Sequence, residues 1–93
     1  MRETHVEKRL RIRVKEMGGL ALKFVSPGFN GVPDRLVFLP GGRLILVELK
    51  APGKKPSKLQ VWVKAKLERL GFRYFVIDNY ESVEVFVSEF HSA

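Results

Sequence analysis

Asp34, Glu48 and Lys50 are the side chains whose types and spacing could perform chemistry together. Asp34 follows Gly31-Val32-Pro33, and Glu48 and Lys50 flank Leu49. Two carboxylates at a strand end repel one another and call for a cation. Mg²⁺ or Mn²⁺ suits them, because such ions prefer hard oxygen ligands, accept one or two carboxylates, and leave other positions to water and phosphate. An ion held in that way polarises a phosphodiester, lowers the pKa of water, and stabilises the extra charge of a transition state. An ammonium beside it can orient the attacking water or neutralise developing charge. No histidine belongs to the group, so the base would be water itself, assisted by Lys50 or an acid.

Whether these groups meet depends on a hairpin. Leu36-Val37-Phe38-Leu39 and Leu44-Ile45-Leu46-Val47 are apolar runs joined by Pro40-Gly41-Gly42, the pattern of two antiparallel strands and a tight turn. A three-residue loop pairs Leu39 with Arg43 and brings Asp34 opposite Glu48. Opposed residues share a face, with Cβ atoms roughly 4.5–5.5 Å apart. Glu48 and Lys50 also share a face, since side chains alternate along a strand. A two-residue loop would instead send the carboxylates to opposite faces. The plainer alternative makes Asp34 a turn residue and Glu48–Lys50 an exposed ion pair worth under about 1 kcal/mol. Both faces of the hairpin are apolar: Leu36, Phe38, Leu44 and Leu46 on one, Val37, Leu39, Ile45, Val47 and Leu49 on the other. Such strands belong in the middle of a sheet with helices on both sides.

The elements that must position this hairpin follow from periodicity. Val6, Leu10, Val14 and Met17 make a helical stripe over 3–17, ended by Gly18-Gly19. Glu7 sits beside that stripe, where its carboxylate can reach the sheet edge or pair with Arg11 one turn on. Glu3 is the competing acid, and His5 reads as a surface residue. Leu20–Val25 reads as a strand, followed by the turn-rich Ser26–Gly31 segment. After the hairpin, Ala51-Pro52-Gly53-Lys54-Lys55-Pro56 is a loop; with Lys58 its lysines are placed to grip phosphates, or are simply solvated. Ser57 opens a helix running to about Leu70, with Leu59, Trp62, Val63, Lys66 and Leu70 as its stripe. Ser57-x-x-Gln60 matches a capping box, in a first helical turn whose free amides favour anions. Phe72–Ile77 is a strand close enough behind its helix to run parallel to Leu44–Leu49. The tail alternates like a strand but also carries the stripe Val83, Phe86, Val87 and Phe90; a helix over 80–90, capped by Asn79, is the expectation.

Composition sets the class. The 93 residues amount to one domain, and 45% hydrophobic content suffices for a core. There is no cysteine, hence no disulfide framework and no thiolate zinc site. Seventeen Lys and Arg against ten Asp and Glu give a net charge of +7, a field that attracts polyphosphates. No apolar run approaches the ~20 residues of a bilayer span, and the polar start does not resemble a signal peptide. A cytoplasmic protein with no membrane partner is expected.

Pro33-Asp34 followed by Glu48-Leu49-Lys50 resembles the PD-(D/E)xK nuclease signature, and Gly31-Val32-Pro33-Asp34 resembles its VRR-NUC branch over nearly the whole chain. The resemblance implies a restriction-endonuclease-like α/β core, a mixed central sheet with flanking helices in the order α-β-β-β-α-β-α. It implies hydrolysis of DNA with Mg²⁺ or Mn²⁺, Asp34, Glu48 and the Leu49 carbonyl as metal ligands, and Lys50 at the attacking water. It adds Glu7 from the first helix and Gln60 as assisting residues, so that Gln60 has a catalytic as well as a capping reading. Lys54, Lys55 and Lys58 become DNA-binding residues. The resemblance also implies a homodimer acting on branched or duplex DNA such as a Holliday junction. The rivals are a catalytically inert basic DNA-binding module of the same fold and a protein-interaction subunit whose charge is incidental.

Overall fold

The computed structural model describes residues 3–90, with Glu3 described by its backbone alone. The elements are α1 (Glu3–Glu16), β1 (Leu20–Lys23), β2 (Arg35–Leu39), β3 (Arg43–Leu49), α2 (Lys58–Arg69), β4 (Arg73–Ile77) and α3 (Tyr80–Phe90). They form the expected order around one four-stranded sheet, β1-β2-β3-β4. β1, β2 and β3 are antiparallel neighbours, and β4 runs parallel to β3 after the α2 crossover.

The register of the central hairpin follows from its turn. Leu39 pairs with Arg43, and the pairing continues to Arg35 with Val47, which is the three-residue-loop arrangement. Gly41 and Gly42 both have positive φ, a conformation that costs glycine little. The next residues outward are therefore Asp34 and Glu48. The loop before Asp34 is tied in as well: its carbonyl accepts from the Phe24 amide at 2.8 Å.

The two sheet faces are covered unequally. Val6, Leu10 and Val14 of α1 and Val83, Phe86, Val87 and Phe90 of α3 enclose Val37, Leu39, Ile45, Val47 and Leu49 in one core. The tail is thus a helix, and its stripe is that of Phe86 and Phe90. Asn79 Oδ1 accepts from the Ser82 amide at 2.7 Å and holds its start. The other face carries only α2, which lies over β4. Even-handed coverage does not occur there: Phe38 remains 41% exposed. The reason is length, for one twelve-residue helix cannot span four strands. The α2 stripe differs accordingly. Val63 alone is buried, while Leu59, Trp62 and Leu70 face outward. No described helix is long and apolar enough to cross a membrane.

Candidate active site

The site lies at the end of β3, on the sheet face that α2 covers. Glu48 is 1% exposed and is the only charged side chain of the described residues in the interior. A buried carboxylate must be hydrogen-bonded or paired, and three donors, from α2, β4 and the residue after β3, supply this. Gln60 Nε2 of α2 donates to Oε2 at 2.6 Å. Lys50 Nζ stands 3.2 Å from the same oxygen. The buried Tyr74 hydroxyl of β4 approaches Oε1 at 3.5 Å, a long contact.

Asp34 completes the cluster from β2's start. Its Oδ2 accepts from the Leu49 amide at 2.8 Å, which locks the carboxylate to the strand opposite. Burial first, and then the Asp34 charge, push the Glu48 carboxyl above its ordinary value, against the pull of Lys50. The same burial and the same two carboxylates push the Tyr74 phenol well above its ordinary value, so Tyr74 stays a donor at any physiological pH. The cluster therefore has more negative charge than Lys50 alone offsets. An added cation would relieve it, and the hard oxygens present suit Mg²⁺ or Mn²⁺. Among the described residues no three His, Cys, Asp or Glu side chains gather as a metal site. Two carboxylates with a backbone carbonyl, water and a phosphate fit the donor set of these ions.

No known family model matches the chain. "Putative nuclease p44" of Acyrthosiphon pisum secondary endosymbiont phage 1 is 52% identical over 79 residues, 85% of this chain and 85% of that protein. A solved VRR-NUC domain superposes with a TM-score of 0.88 at 30% identity, over 95% of this chain and 96% of that one. The chain belongs to the VRR-NUC family.

Within this VRR-NUC fold, Asp34, Glu48, Lys50 and Gln60 come together with the backbone of Leu49, and Glu7, Lys54, Lys55 and Lys58 lie apart from them. Glu7 faces a hollow of about 350 Å³ on the α1 side of the sheet, lined with Thr4, Arg35 and Leu49. Its carboxylate accepts from Arg11 Nε at 3.0 Å and stands 3.6 Å from Arg35 Nε. It is thus beside Leu49 and engaged with two arginines. Lys54 and Lys55 lie on the exposed loop and Lys58 at the exposed start of α2.

Two participants in this VRR-NUC site were not evident from sequence. Tyr74 reads as an ordinary core aromatic of β4, and no local signal marks its hydroxyl. Arg35 follows the Pro-Asp pair directly and donates from Nη1 to the Asp34 carbonyl at 3.0 Å. A basic residue abutting a carboxylate was the available signal. Gln60 makes the capping contact and also reaches the carboxylate cluster: its Oε1 accepts from the Ser57 amide at 3.0 Å while its Nε2 donates to Glu48.

Proposed function

We propose that the protein is a DNA endonuclease that uses Mg²⁺ or Mn²⁺ to hydrolyse phosphodiester bonds. The observation that carries this reading is the buried Glu48 carboxylate, placed beside Asp34 and within reach of Lys50 and Gln60. Burying a carboxylate and setting a second one against it is costly. A surface that only binds DNA needs cations and gains nothing from such a pair. The names of the relatives support the same activity.

In this reading Asp34, Glu48 and the Leu49 carbonyl hold the ion, which when bound polarises the phosphodiester and makes water a better nucleophile. Lys50 donates toward the attacking water or the phosphate oxygen that gains charge. Gln60 fixes the Glu48 carboxylate. Glu7, on the far side of Leu49, assists at the edge of the site, and Arg35 balances its charge. Lys54, Lys55 and Lys58 hold the phosphates of a flanking strand.

A homodimer is part of the proposal. Leu20 and Leu22 of β1 share a face with Leu36, Phe38, Leu44 and Leu46, and α2 leaves much of that face uncovered. A second copy would cover it and bring a second site, as cutting both strands of a branched, two-fold substrate requires. Sedimentation analysis of the full chain tests this; a monomer at tens of micromolar would remove the dimer from the proposal.

The deciding experiment is cleavage of labelled four-way-junction and linear duplex DNA with Mg²⁺, Mn²⁺ or EDTA, for wild type and Lys50→Ala. Metal-dependent cutting that Lys50→Ala abolishes is the expected result, with the junction cut faster than the duplex. Tight binding without cutting in any metal would leave the inert DNA-binding module standing.

A further inference from the structure

We infer that Ser57 is a positioning residue for this site, because its contacts with Gln60 fix which end of the Gln60 amide faces Glu48. The consequence for metal binding rests on the nuclease reading above; the contact itself does not.

A primary amide has a donor end and an acceptor end, and little but its neighbours decides between the two orientations. At Gln60 both neighbours decide alike. Ser57 offers a backbone N–H, and Gln60 Oε1 accepts it at 3.0 Å. Glu48 offers a carboxylate oxygen, and Gln60 Nε2 donates to it at 2.6 Å. Rotating the amide by half a turn would face donor to donor at Ser57 and acceptor to acceptor at Glu48.

Ser57 is held for this task. Its Oγ accepts from the Gln60 amide at 3.2 Å, and its extended backbone, φ −68° and ψ 165°, marks it as the N-cap of α2. The two residues bond reciprocally, so the side chain of Gln60 begins its reach to Glu48 from a fixed base. The helix is placed from the other side as well. Gly31, in the loop before Asp34, packs so closely that an added Cβ would stand 2.7 Å from Leu59 Cγ.

The result is a carboxylate with its oxygens made unequal. Oε2 takes both Gln60 and Lys50, whereas Oε1 has the single long contact to Tyr74. Oε1 is the oxygen left for a cation. Ser57→Ala keeps the backbone N–H but loses the Oγ bond that holds the cap, so that N–H is no longer fixed against Gln60 Oε1, the amide gains other rotamers, and Glu48 is held less firmly for metal.

The test compares full-length wild type, Ser57→Ala, Ser57→Thr and Asn79→Ala. Asn79→Ala removes an N-cap from α3, which packs on the sheet face opposite α2, and controls for lost stability alone. Two readouts are taken: the Gln60 Nε2 proton resonances of the metal-free protein, and Mn²⁺ affinity by calorimetry. Wild type should show one Nε2 proton shifted downfield by the carboxylate. Ser57→Ala should return it toward a free amide and weaken Mn²⁺ binding, by less than the roughly 10- to 100-fold expected on losing a residue that itself bonds a metal ligand. Ser57→Thr, a comparable cap, should restore both, and Asn79→Ala should change neither while lowering the melting temperature. If Ser57→Ala loses stability but keeps the wild-type resonance and affinity, the inference is overturned. If wild type binds no Mn²⁺, the nuclease reading fails, and the resonance still decides Ser57's role.

Discussion

Gln60 Nε2 stands 2.6 Å from Glu48 Oε2, joining the first turn of α2 to the end of β3. A hydrogen bond to a charged group is worth roughly 1.5–3 kcal/mol, more than a neutral one. Gln60→Ala removes that donor together with half of the capping box. Mn²⁺ affinity should fall about 10- to 100-fold, the usual effect of losing a residue that orients a ligand. Calorimetry with Mn²⁺ measures it, and wild-type affinity in Gln60→Ala would take Gln60 out of the site.

The Glu48 carboxyl also predicts how the metal-free protein responds to pH. Burial and Asp34 raise its folded pKa above the ordinary 4.5. The folded state therefore holds a proton that the unfolded state has released, and stability falls as pH rises through that window. Glu84 acts in the opposite sense but below the window, since Arg13 and then Arg9 depress its pKa against a smaller effect of burial. In EDTA, the melting temperature should thus fall as pH rises from 4.5 through the raised Glu48 pKa. Glu48→Gln should flatten this slope and melt higher than wild type above the raised pKa. Each ~1 kcal/mol corresponds to roughly 4–8 °C in a domain of this size. An unchanged slope in Glu48→Gln would mean that another group carries it.

The hairpin was legible because its turn sets its register. Once Pro40-Gly41-Gly42 is a three-residue loop, Leu39 must meet Arg43 and Asp34 must approach Glu48. The C-terminal helix was legible for a similar reason, since Asn79 and the Phe86–Phe90 spacing agree. Coverage of the sheet was not. Apolar periodicity says that Phe38 and Leu44 avoid water, but not whether a helix or another chain provides the shelter. Tyr74 was hidden because its ring belongs to the core and its hydroxyl acts across strands, beyond any sequence spacing. The sequence could not show that the two ends of the Gln60 amide reach Ser57 and Glu48 at the same time.

Gly31 sets where α2 docks, and its substitution should be felt at the site. Its φ is +85°, and an added Cβ would meet Leu59 Cγ at 2.7 Å and Val63 Cγ2 at 3.1 Å. A side chain there incurs about 1–2 kcal/mol for the left-handed backbone, and the close packing adds to it. Gly31→Ala should lower the melting temperature by more than about 4 °C and reduce cleavage further by moving Gln60 off Glu48. Gly28 has a similar φ but open space around it, so Gly28→Ala should incur the backbone cost alone. Equal cleavage defects in the two variants would argue that helix docking is not what Gly31 supplies.

Lys54, Lys55 and Lys58 stand exposed next to the site's helix, where they can hold phosphates without touching the reacting bond. Contacts of that kind bind substrate and transition state alike, so their loss raises KM and leaves kcat unchanged. They also release counterions, and each phosphate contact contributes about 0.9 to the slope of log affinity against log salt for duplex DNA. The double variant Lys54→Ala/Lys55→Ala should therefore flatten the slope by about 1.8 if both lysines contact phosphate. Lys58→Ala should remove a further step of about 0.9. Fluorescence anisotropy with a labelled duplex, in Ca²⁺ to hold off cutting, gives the slopes, and steady-state cleavage gives kcat. A fall in kcat at constant KM would move these lysines from the flanking strand to the scissile phosphate. An unchanged slope would mean that DNA leaves the site by another route, and Arg11 and Lys15 on α1 would be the next residues to vary.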